Sequence, residues 1–387
     1  MSRPLDGLLV VSLEQAIAAP YCTRLLADQG ARVIKVERPD GGDFARVYDT
    51  RARGLASHFV WTNRSKESLA LDLKKKGGVD ALNRIIEKAD VFVQNMAPGA
   101  TGRLGLDHAH LRRNNPRLIT CSISGYGAGG PYENSKAYDL LIQAEAGFLS
   151  ITGSEGEMAK AGISIADIAA GVTAYHSILA ALLNRAKTEA GDHIEVSMLE
   201  AMAEWMGFPM YYAMDGAPPP QRSGPRHATI YPYGPYTTAD GTVFLGLQND
   251  REWVSFSKIV LQRGELGEDQ RFAGNSGRAS HRDILEPIIT GVFGALPTAQ
   301  AIGRLQQAGI ATARVNDMAA LWNHPQLSAR QRWQDFGSPA GPMPGLRPVS
   351  GDAWEPRFDP VPAVGEHTEK ILAEFGAASD IAKDKTP

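Results

Sequence analysis

The chain has 387 residues, of which 43% are hydrophobic and 21% charged, and its formal net charge is -3. These values are typical of a soluble globular enzyme with one large domain or two ordinary ones; they argue against a disordered chain and against binding of nucleic acid by bulk charge. Only two cysteines, Cys22 and Cys121, are present, so we expect a reducing cytoplasm rather than a disulfide framework.

The N-terminal half alternates between apolar strands and helical segments. Strands are predicted at 8–13, 32–37, 90–94, 117–123 and 193–196, and helices at 20–28, 78–88, 107–114, 167–185 and 198–214. Because parallel strands need a crossover connection, usually a helix, this alternation predicts a Rossmann-like α/β domain. The first strand-to-helix turn, 14–20, lacks the GxGxxG sequence of dinucleotide-binding proteins, which argues against an NAD enzyme.

The second half predicts a smaller domain. Residues 215–226 are rich in Gly, Pro and Arg, as expected of a linker or a loop over a site. Beyond them, 236–245 predicts a β-hairpin with Asp240 and Gly241 in its turn. Helices are predicted at 253–260, 282–293, 298–308 and 366–375. We therefore predict a small α+β domain at 227–325 and a large Rossmann-like domain built from 1–226 and 326–387.

No segment of the sequence predicts export or a membrane span. The apolar run near the N-terminus is too short for a signal peptide with its cleavage site. We also find no uninterrupted apolar stretch of about 18 residues, the length that a spanning helix needs. We expect a protein without membrane or nucleic-acid partners.

Asp167 opens the long apolar helix that follows Ser164-Ile165-Ala166. A carboxylate in the first turn accepts hydrogen bonds from free N–H groups and is favoured by the helix dipole, so we expect it to be ionised near neutral pH. Such a residue is either a helix cap or a nucleophile, and from the local sequence alone the cap is the commoner of the two.

Short motifs occur in order along almost the whole chain. They are Ala18-Ala19-Pro20-Tyr21-Cys22, Ile34-Lys35-Val36-Glu37-Arg38-Pro39, Asn63-Arg64-Ser65-Lys66, Leu71-Asp72-Leu73-Lys74, Arg103-Leu104-Gly105, Gly125-Tyr126-Gly127, Ala137-Tyr138-Asp139, Ala166-Asp167 and Val315-Asn316-Asp317. With these motifs the chain resembles the family III CoA-transferases, the group of formyl-CoA transferase, carnitine CoA-transferase and the α-methylacyl-CoA racemases. The resemblance implies two chains threaded through each other as interlocked rings, in an obligate homodimer.

The resemblance also implies roles for individual residues. Asp167 falls on the family's nucleophilic aspartate, which favours the nucleophile over the cap. Ala16, Ile17 and Ala18 fall on the turn against the thioester end of CoA. The positions that contact the nucleotide and the pantetheine are Arg38, Leu71, Lys74, Asn95, Met96, Arg103, Lys136 and Tyr138. Arg and Lys suit the phosphates of CoA, whereas each cation taken alone is as readily a surface charge.

The implied activity is transfer of CoA from an acyl-CoA to a carboxylic acid through an aspartyl-CoA thioester. CoA is then a substrate, and no metal or permanently bound cofactor is expected. Where formyl-CoA transferase has a glycine-rich loop, this chain reads Arg222-Ser223-Gly224-Pro225-Arg226-His227. Arg222, Arg226 and His227 are therefore candidates for binding a second carboxylate, although a neutral loop is the alternative. We expect succinyl-CoA as the donor and mesaconate, itaconate or citramalate as the acceptor.

Two alternatives to CoA transfer follow from other features. The first is an α-methylacyl-CoA racemase, which needs an acid/base group on each side of the α-carbon. The racemases have His where this chain has Tyr138, and a tyrosine with a pKa of about 10 is a poor base at neutral pH. The second is a CoA-binding protein without turnover, against which the retained Asp167 argues.

Overall fold

The structure, a computed structural model, describes residues 2–383 and contains three β-sheets within that range. The largest is a parallel sheet of six strands in the order β3-β2-β1-β4-β5-β6. Its strands are β1 (Leu9–Leu13), β2 (Arg32–Glu37), β3 (Lys66–Ala70), β4 (Val91–Gln94), β5 (Ile119–Ser124) and β6 (His193–Ser197). An antiparallel sheet contains β7 (Tyr233–Thr238), β8 (Gly241–Gly246) and β9 (Ala311–Arg314), and a hairpin joins β10 (Trp333–Phe336) to β11 (Met343–Leu346).

Helices connect these strands. They are α1 (Ala18–Asp28), α2 (Ser57–Asn63), α3 (Lys76–Ile86), α4 (Ala100–Arg103), α5 (His108–Asn114), α6 (Asp139–Glu145), α7 (Phe148–Ile151), α8 (Ile165–Thr188), α9 (Met198–Trp205), α10 (Gly207–Tyr212), α11 (Asp250–Ser255), α12 (Glu265–Glu268), α13 (Asn275–Ser280), α14 (Arg282–Gly294), α15 (Thr298–Gln307), α16 (Met318–Trp322), α17 (Pro325–Ala329), α18 (Thr368–Glu374) and α19 (Ala378–Lys383). The mixed α/β class and the Rossmann-like parallel sheet predicted from the alternating pattern are confirmed.

The central strands of the six-stranded sheet, β1, β4 and β5, are buried because they are largely apolar on both faces. In β1, Val11 and Leu13 pack with Leu82 and Ile85 of α3 in one core cluster. Val10, which alternates with them along the strand, is also buried. Parallel strands covered by helices on both faces read as continuous apolar runs, which is why the sequence predicted most of them.

The chain divides into two compact units. The first contains the residues up to Ala146, Ala161–Gly207 and the residues from Leu327 onward; the second contains Gly147–Lys160 and Phe208–Gln326. The predicted small domain, 227–325, lacked two segments of this second unit, 147–160 and 208–226. The Gly, Pro and Arg rich segment bonds to 147–160, since Gly224 N donates to Gly153 O at 2.7 Å.

The C-terminal part of the chain completes the first unit. Ile371 of α18 is fully buried in the same core cluster as β1 and α3. Ala70 N at the end of β3 donates to Thr368 Oγ1 at 2.9 Å, and His367 N donates to Ser68 O at 3.0 Å. Helix α18 is therefore tied to β3, the edge strand of the sheet.

Several sequence-based expectations differ from the structure. The helix predicted at 198–214 is two helices, because the chain breaks before Gly207. In the predicted hairpin, Thr238 pairs with Gly241, so the turn is Ala239 and Asp240 rather than Asp240 and Gly241. Within residues 2–383, α8 is by length and composition able to cross a membrane, contrary to the expectation that no segment is. This helix packs on α1 and α9, a place that suits a core helix equally well.

Candidate active site

The strand order reverses between β1 and β4, and ligands of open α/β sheets bind outside the carboxyl ends of the strands at such a point. Here the side chain of Asn95, which follows β4, bridges to the turn that follows β1. Gln15 N donates to Asn95 Oδ1 at 2.8 Å, and Asn95 Nδ2 donates to Gln15 O at 2.8 Å. These two bonds fix the backbone of the turn leading into α1.

That turn contains a backbone conformation rare for a residue with a side chain. Ala16 has φ of 63°, in the left-handed region, and its N–H donates to Asp43 Oδ1 at 3.1 Å. Just beyond it, the N–H groups of Ile17, Ala18 and Ala19 find no acceptor among residues 2–383, although these residues are buried. The start of α1 therefore presents N–H donors and the positive end of a helix dipole to a ligand oxygen.

A buried ionic network supports the same turn from behind. Lys66 Nζ lies 2.6 Å from Glu14 Oε1, Lys35 Nζ lies 2.8 Å from Asp43 Oδ2, and all four side chains are fully inaccessible. Burial lowers the pKa of Lys66 to about 8, although Glu14 opposes that change. Lys66 Nζ also donates to Pro20 O at 2.8 Å. The network ties β1, β2 and β3 to the start of α1.

Asp167 lies in the first turn of α8, but it does not cap that helix. Ser164 makes no capping bond either. Instead, Ala166 N and Asp167 N donate to Asp139 Oδ1 at 2.8 and 3.2 Å. The Asp167 carboxylate accepts no hydrogen bond from any of residues 2–383. Of the two roles that the sequence left open for Asp167, the helix cap is filled by Asp139.

The charge state of Asp167 differs from the sequence-based expectation. Burial, and then the neighbouring Asp139 carboxylate, raise the pKa of Asp167 from 3.8 to about 7. The expectation of ionisation near neutral pH considered only the helix dipole, and it left out burial and the second carboxylate, which takes the helix N–H groups.

Helices α1 and α8 approach closely beside Asp167. Gly171 lies one turn further along α8, and a Cβ atom there would be 2.7 Å from Ala18 O and 3.2 Å from Tyr21 Cδ1. Glycine at this position therefore permits the two first turns to lie side by side. The unpaired carboxylate and the unpaired N–H groups belong to these two neighbouring turns.

Sequence reasoning missed Tyr48, which follows the short 3-10 helix Phe44–Val47. Burial, and then the carboxylates of Asp43 and Asp167, raise the pKa of Tyr48 to about 12. The hydroxyl of Tyr48 therefore stays protonated. It lies close enough to Asp167 for the charge of that carboxylate to raise its pKa. The sequence signal that could have identified Tyr48 is an aromatic residue that follows β2, a strand of the six-stranded sheet.

The other candidate residues fall in both units. Those of the first unit follow the carboxyl ends of β1 to β5: Ala16, Ile17, Ala18, Arg38, Leu71, Lys74, Asn95, Met96, Arg103, Lys136 and Tyr138. Three lie in the second unit. Arg222 donates to Ser154 O at 3.0 Å and to Glu155 O at 3.1 Å, Arg226 pairs with Glu286, and His227 stacks on the ring of Tyr233.

Comparison with known proteins adds an independent finding. The chain is 34% identical over 389 residues to succinate--glutarate CoA-transferase of Agrobacterium fabrum, covering 96% of both chains. It is 31% identical to succinyl-CoA:mesaconate CoA-transferase of Haloarcula hispanica, covering 97% of both. A solved CAIB/BAIF family protein from Brucella suis superposes with a TM-score of 0.84 at 33% identity, covering 97% of this chain and 100% of that one.

The family assignment covers nearly the whole chain. The model described as "CoA-transferase family III" matches residues 5–368, which include every candidate residue named above. The resemblance inferred from the sequence motifs is thereby confirmed. The match and the relatives, together with the switch-point sheet and its unpaired carboxylate, place this chain in the family III CoA-transferases, and it is an enzyme of that class.

Proposed function

We propose that the protein transfers CoA from succinyl-CoA to a dicarboxylic acid of four or five carbons, with Asp167 as the nucleophile. The observation that carries the proposal is the Asp167 carboxylate, which no group in residues 2–383 binds, beside the unpaired N–H groups of Ile17 and Ala18. Relatives named as succinyl-CoA:glutarate and succinyl-CoA:mesaconate CoA-transferases support the donor and the class of acceptor.

In the first half of the reaction, an Asp167 carboxylate oxygen attacks the thioester carbonyl carbon, the C–S bond breaks, and CoA thiolate leaves a mixed anhydride. The thiolate then attacks the carbonyl carbon of Asp167, which gives the aspartyl-CoA thioester and releases succinate. The acceptor carboxylate repeats both steps in reverse, so no net proton or electron is transferred. The N–H groups at the start of α1 stabilise the oxyanion of each tetrahedral intermediate.

Cations around the carboxyl edge of the sheet support binding of the phosphates of CoA. Arg38, Lys74, Arg103 and Lys136 are exposed, and none of them forms an ion pair within residues 2–383. By contrast, Arg46 nearby is engaged by Glu37 at 2.7 Å. Four cations without carboxylate partners suit a ligand that carries several phosphate charges.

We assign the second carboxylate of the acceptor to the segment 222–227. Arg222 is partly buried and bonds only to the backbone carbonyls of Ser154 and Glu155, so its charge is not neutralised within the described residues. Arg226 is paired with Glu286 and is the weaker candidate. Arg222→Gln should raise KM for a dicarboxylic acceptor more than KM for a monocarboxylic acceptor, which has no second carboxylate to bind.

Mass spectrometry of the intact protein tests the nucleophile. Brief mixing with succinyl-CoA should give a CoA-sized or succinyl-sized adduct that maps to Asp167 and is discharged only by its true acceptor acids. Asp167→Asn should form no adduct, while Asp107→Asn, at a helix cap elsewhere in the sheet domain, should form it normally. Absence of an adduct, together with deuterium wash-in at the α-carbon of a 2-methylacyl-CoA, would instead establish the racemase.

We further propose that the active form is a homodimer in the cytoplasm. Large apolar side chains of α10 support a partner surface, since Phe208, Met210 and Tyr211 are 57%, 61% and 76% exposed in the single chain. Light scattering should give the mass of two chains, and a single-chain mass at micromolar concentration would contradict the proposal. The two buried free thiols, Cys22 and Cys121, suit a reducing compartment.

A further inference from the structure

The carboxylate of Asp139, the first residue of α6, is surrounded by hydrogen-bond donors. Oδ1 accepts from Ala166 N at 2.8 Å and from Asp167 N at 3.2 Å, and Oδ2 accepts from Gln143 Nε2 at 2.6 Å. Asp139 thus caps a helix that begins 26 positions further along the chain. Its own helix and the helix of the proposed nucleophile are joined through this one side chain.

The orientation of Gln143 fixes the direction of these bonds. Gln143 is fully buried, and its Oε1 accepts from Ala161 N at 2.9 Å, so its amide NH2 group must face Asp139. An ionised carboxylate only accepts hydrogen bonds, whereas a protonated one carries a donor. Because every neighbour donates, no acceptor is left for a proton on Asp139, and the residue is held as the anion.

Two carboxyl groups therefore meet at the start of α8, and only one of them is bonded. Asp139 takes the N–H groups that a carboxylate at the position of Asp167 would otherwise accept from its own helix. The Asp167 side chain is left without a partner, close to a permanent negative charge. Such a charge disfavours ionisation of its neighbour.

We propose, on the basis of the CoA transfer proposed above, that Asp139 is a positioning residue: it caps α8 in place of Asp167 and holds a negative charge beside it, so that the Asp167 carboxylate is free to react and gains stability on becoming a neutral thioester. In the substrate-free enzyme two anions repel each other. When Asp167 becomes the anhydride, its charge passes to the CoA thiolate, and when it becomes the thioester the charge leaves with succinate; in both states the repulsion is relieved. Asp139 therefore shifts the equilibrium toward the covalent intermediate, and a carboxylate of higher proton affinity is also the stronger nucleophile.

Few titratable side chains face Asp167, so few groups other than Asp139 could change its pKa. From α6 it faces Asp139, and from the segment after β2 it faces Tyr48, whose pKa of about 12 keeps it neutral. The first turn of α1, residues 18–20, contributes backbone groups and no titratable side chain. Asp139 is thus the charged group whose removal should change the titration of Asp167.

Asp139→Asn tests this in two ways. The Asp167 carboxyl is titrated in the substrate-free protein by 13C NMR with labelled aspartate, and its signal is identified by its loss in Asp167→Asn. We expect the midpoint to fall from about 7 by about one pH unit or more. The acid limb of kcat/KM should move with it, and the fraction of protein carrying the CoA adduct at equilibrium should fall several-fold.

A second variant separates charge from hydrogen bonding. In Asp139→Asn alone, the new NH2 group would face the NH2 group of Gln143, so folding is at risk. In Asp139→Asn/Gln143→Glu every bond is retained, because the new amide donates to the new carboxylate, which still accepts from Ala161 N. The net charge of the wild type is also kept, but the charge lies one side chain further from Asp167. A lower midpoint than in the wild type is expected here too.

The matched control is Asp107→Asn, which alters another capping carboxylate, the one that accepts from His110 N at 2.8 Å on α5. It should leave the Asp167 midpoint and the adduct fraction unchanged. A wild-type midpoint in the double variant, or an equal change in the control, would overturn the role of Asp139. If no acyl-CoA labels the wild-type protein, the CoA transfer itself is refuted, while the NMR midpoint still reports on Asp139.

Discussion

Asp167→Asn should stabilise the substrate-free protein at pH 8, although it removes the residue to which we assign the nucleophilic attack. In the unfolded chain the carboxyl loses its proton near pH 3.8, whereas in the folded protein its pKa is about 7. Between these values the folded state binds more protons, so the free energy of unfolding falls as pH rises from about 4 to about 7. An amide in place of the carboxyl removes this dependence.

The magnitude follows from the same two values. A difference of about three pH units, at about 1.4 kcal/mol per unit, gives an upper limit of about 4 kcal/mol above pH 7. Because the side chain is only half-buried, solvent screening reduces the effect, and we expect about 2 kcal/mol. Near pH 4 the difference between variant and wild type should approach zero.

Urea unfolding monitored by tryptophan fluorescence, at pH 5, 6, 7 and 8, measures this difference. Other titrating groups contribute equally to both proteins and cancel. Asp107→Asn is the control, since the backbone N–H of His110 lowers the pKa of Asp107 and its carboxyl is ionised in both states throughout this range. Its difference from the wild type should be independent of pH. An equally flat difference for Asp167→Asn would refute the raised pKa of Asp167.

Three further predictions concern the surroundings of the site. Glu14→Gln leaves the buried Lys66 without its counter-ion, and should lower the free energy of unfolding by about 3–5 kcal/mol in urea titrations. Gly171→Ala places a methyl group 2.7 Å from Ala18 O, and should cost about 1–3 kcal/mol and slow adduct formation on Asp167. Burial lowers the pKa of His193, so stability should decline as pH falls below about 6.5; His193→Gln should lack that slope, and an unchanged slope would contradict the assignment.

The sequence predicted the sheet wherever strands were apolar throughout. The strand Arg32–Glu37 was predicted with its exact limits because Gly30 and Pro39 mark its ends. The strand Lys66–Ala70 was missed, since it begins with two charged residues whose partners lie elsewhere. Lys66 pairs with Glu14, and Glu67 with Arg32 at 2.6 Å. A charge that is neutralised by tertiary contacts cannot be distinguished from a surface charge by local pattern.

The same limit explains what was missed at the site. Asp167 and its helix could be found, because an acidic residue before an apolar run is a local signal. Its raised pKa could not be predicted, since it results from burial in the folded chain and from Asp139, 28 positions earlier in the sequence. The conformation of Ala16 could not be predicted either, because it depends on the hydrogen bond that Ala16 N donates to Asp43 and on the one that Gln15 N donates to Asn95.

The return of the C-terminal segment to the first unit has a consequence for biosynthesis. The second unit contains no residue beyond Gln326. All of its residues have therefore been synthesised while the first unit still lacks the residues from Leu327 onward. Ile371 and the bonds to Ser68 and Ala70 become available only after α18 has left the ribosome. During synthesis the parallel sheet therefore has an open edge at β3. A nascent chain arrested near residue 330 should recruit chaperones at that edge.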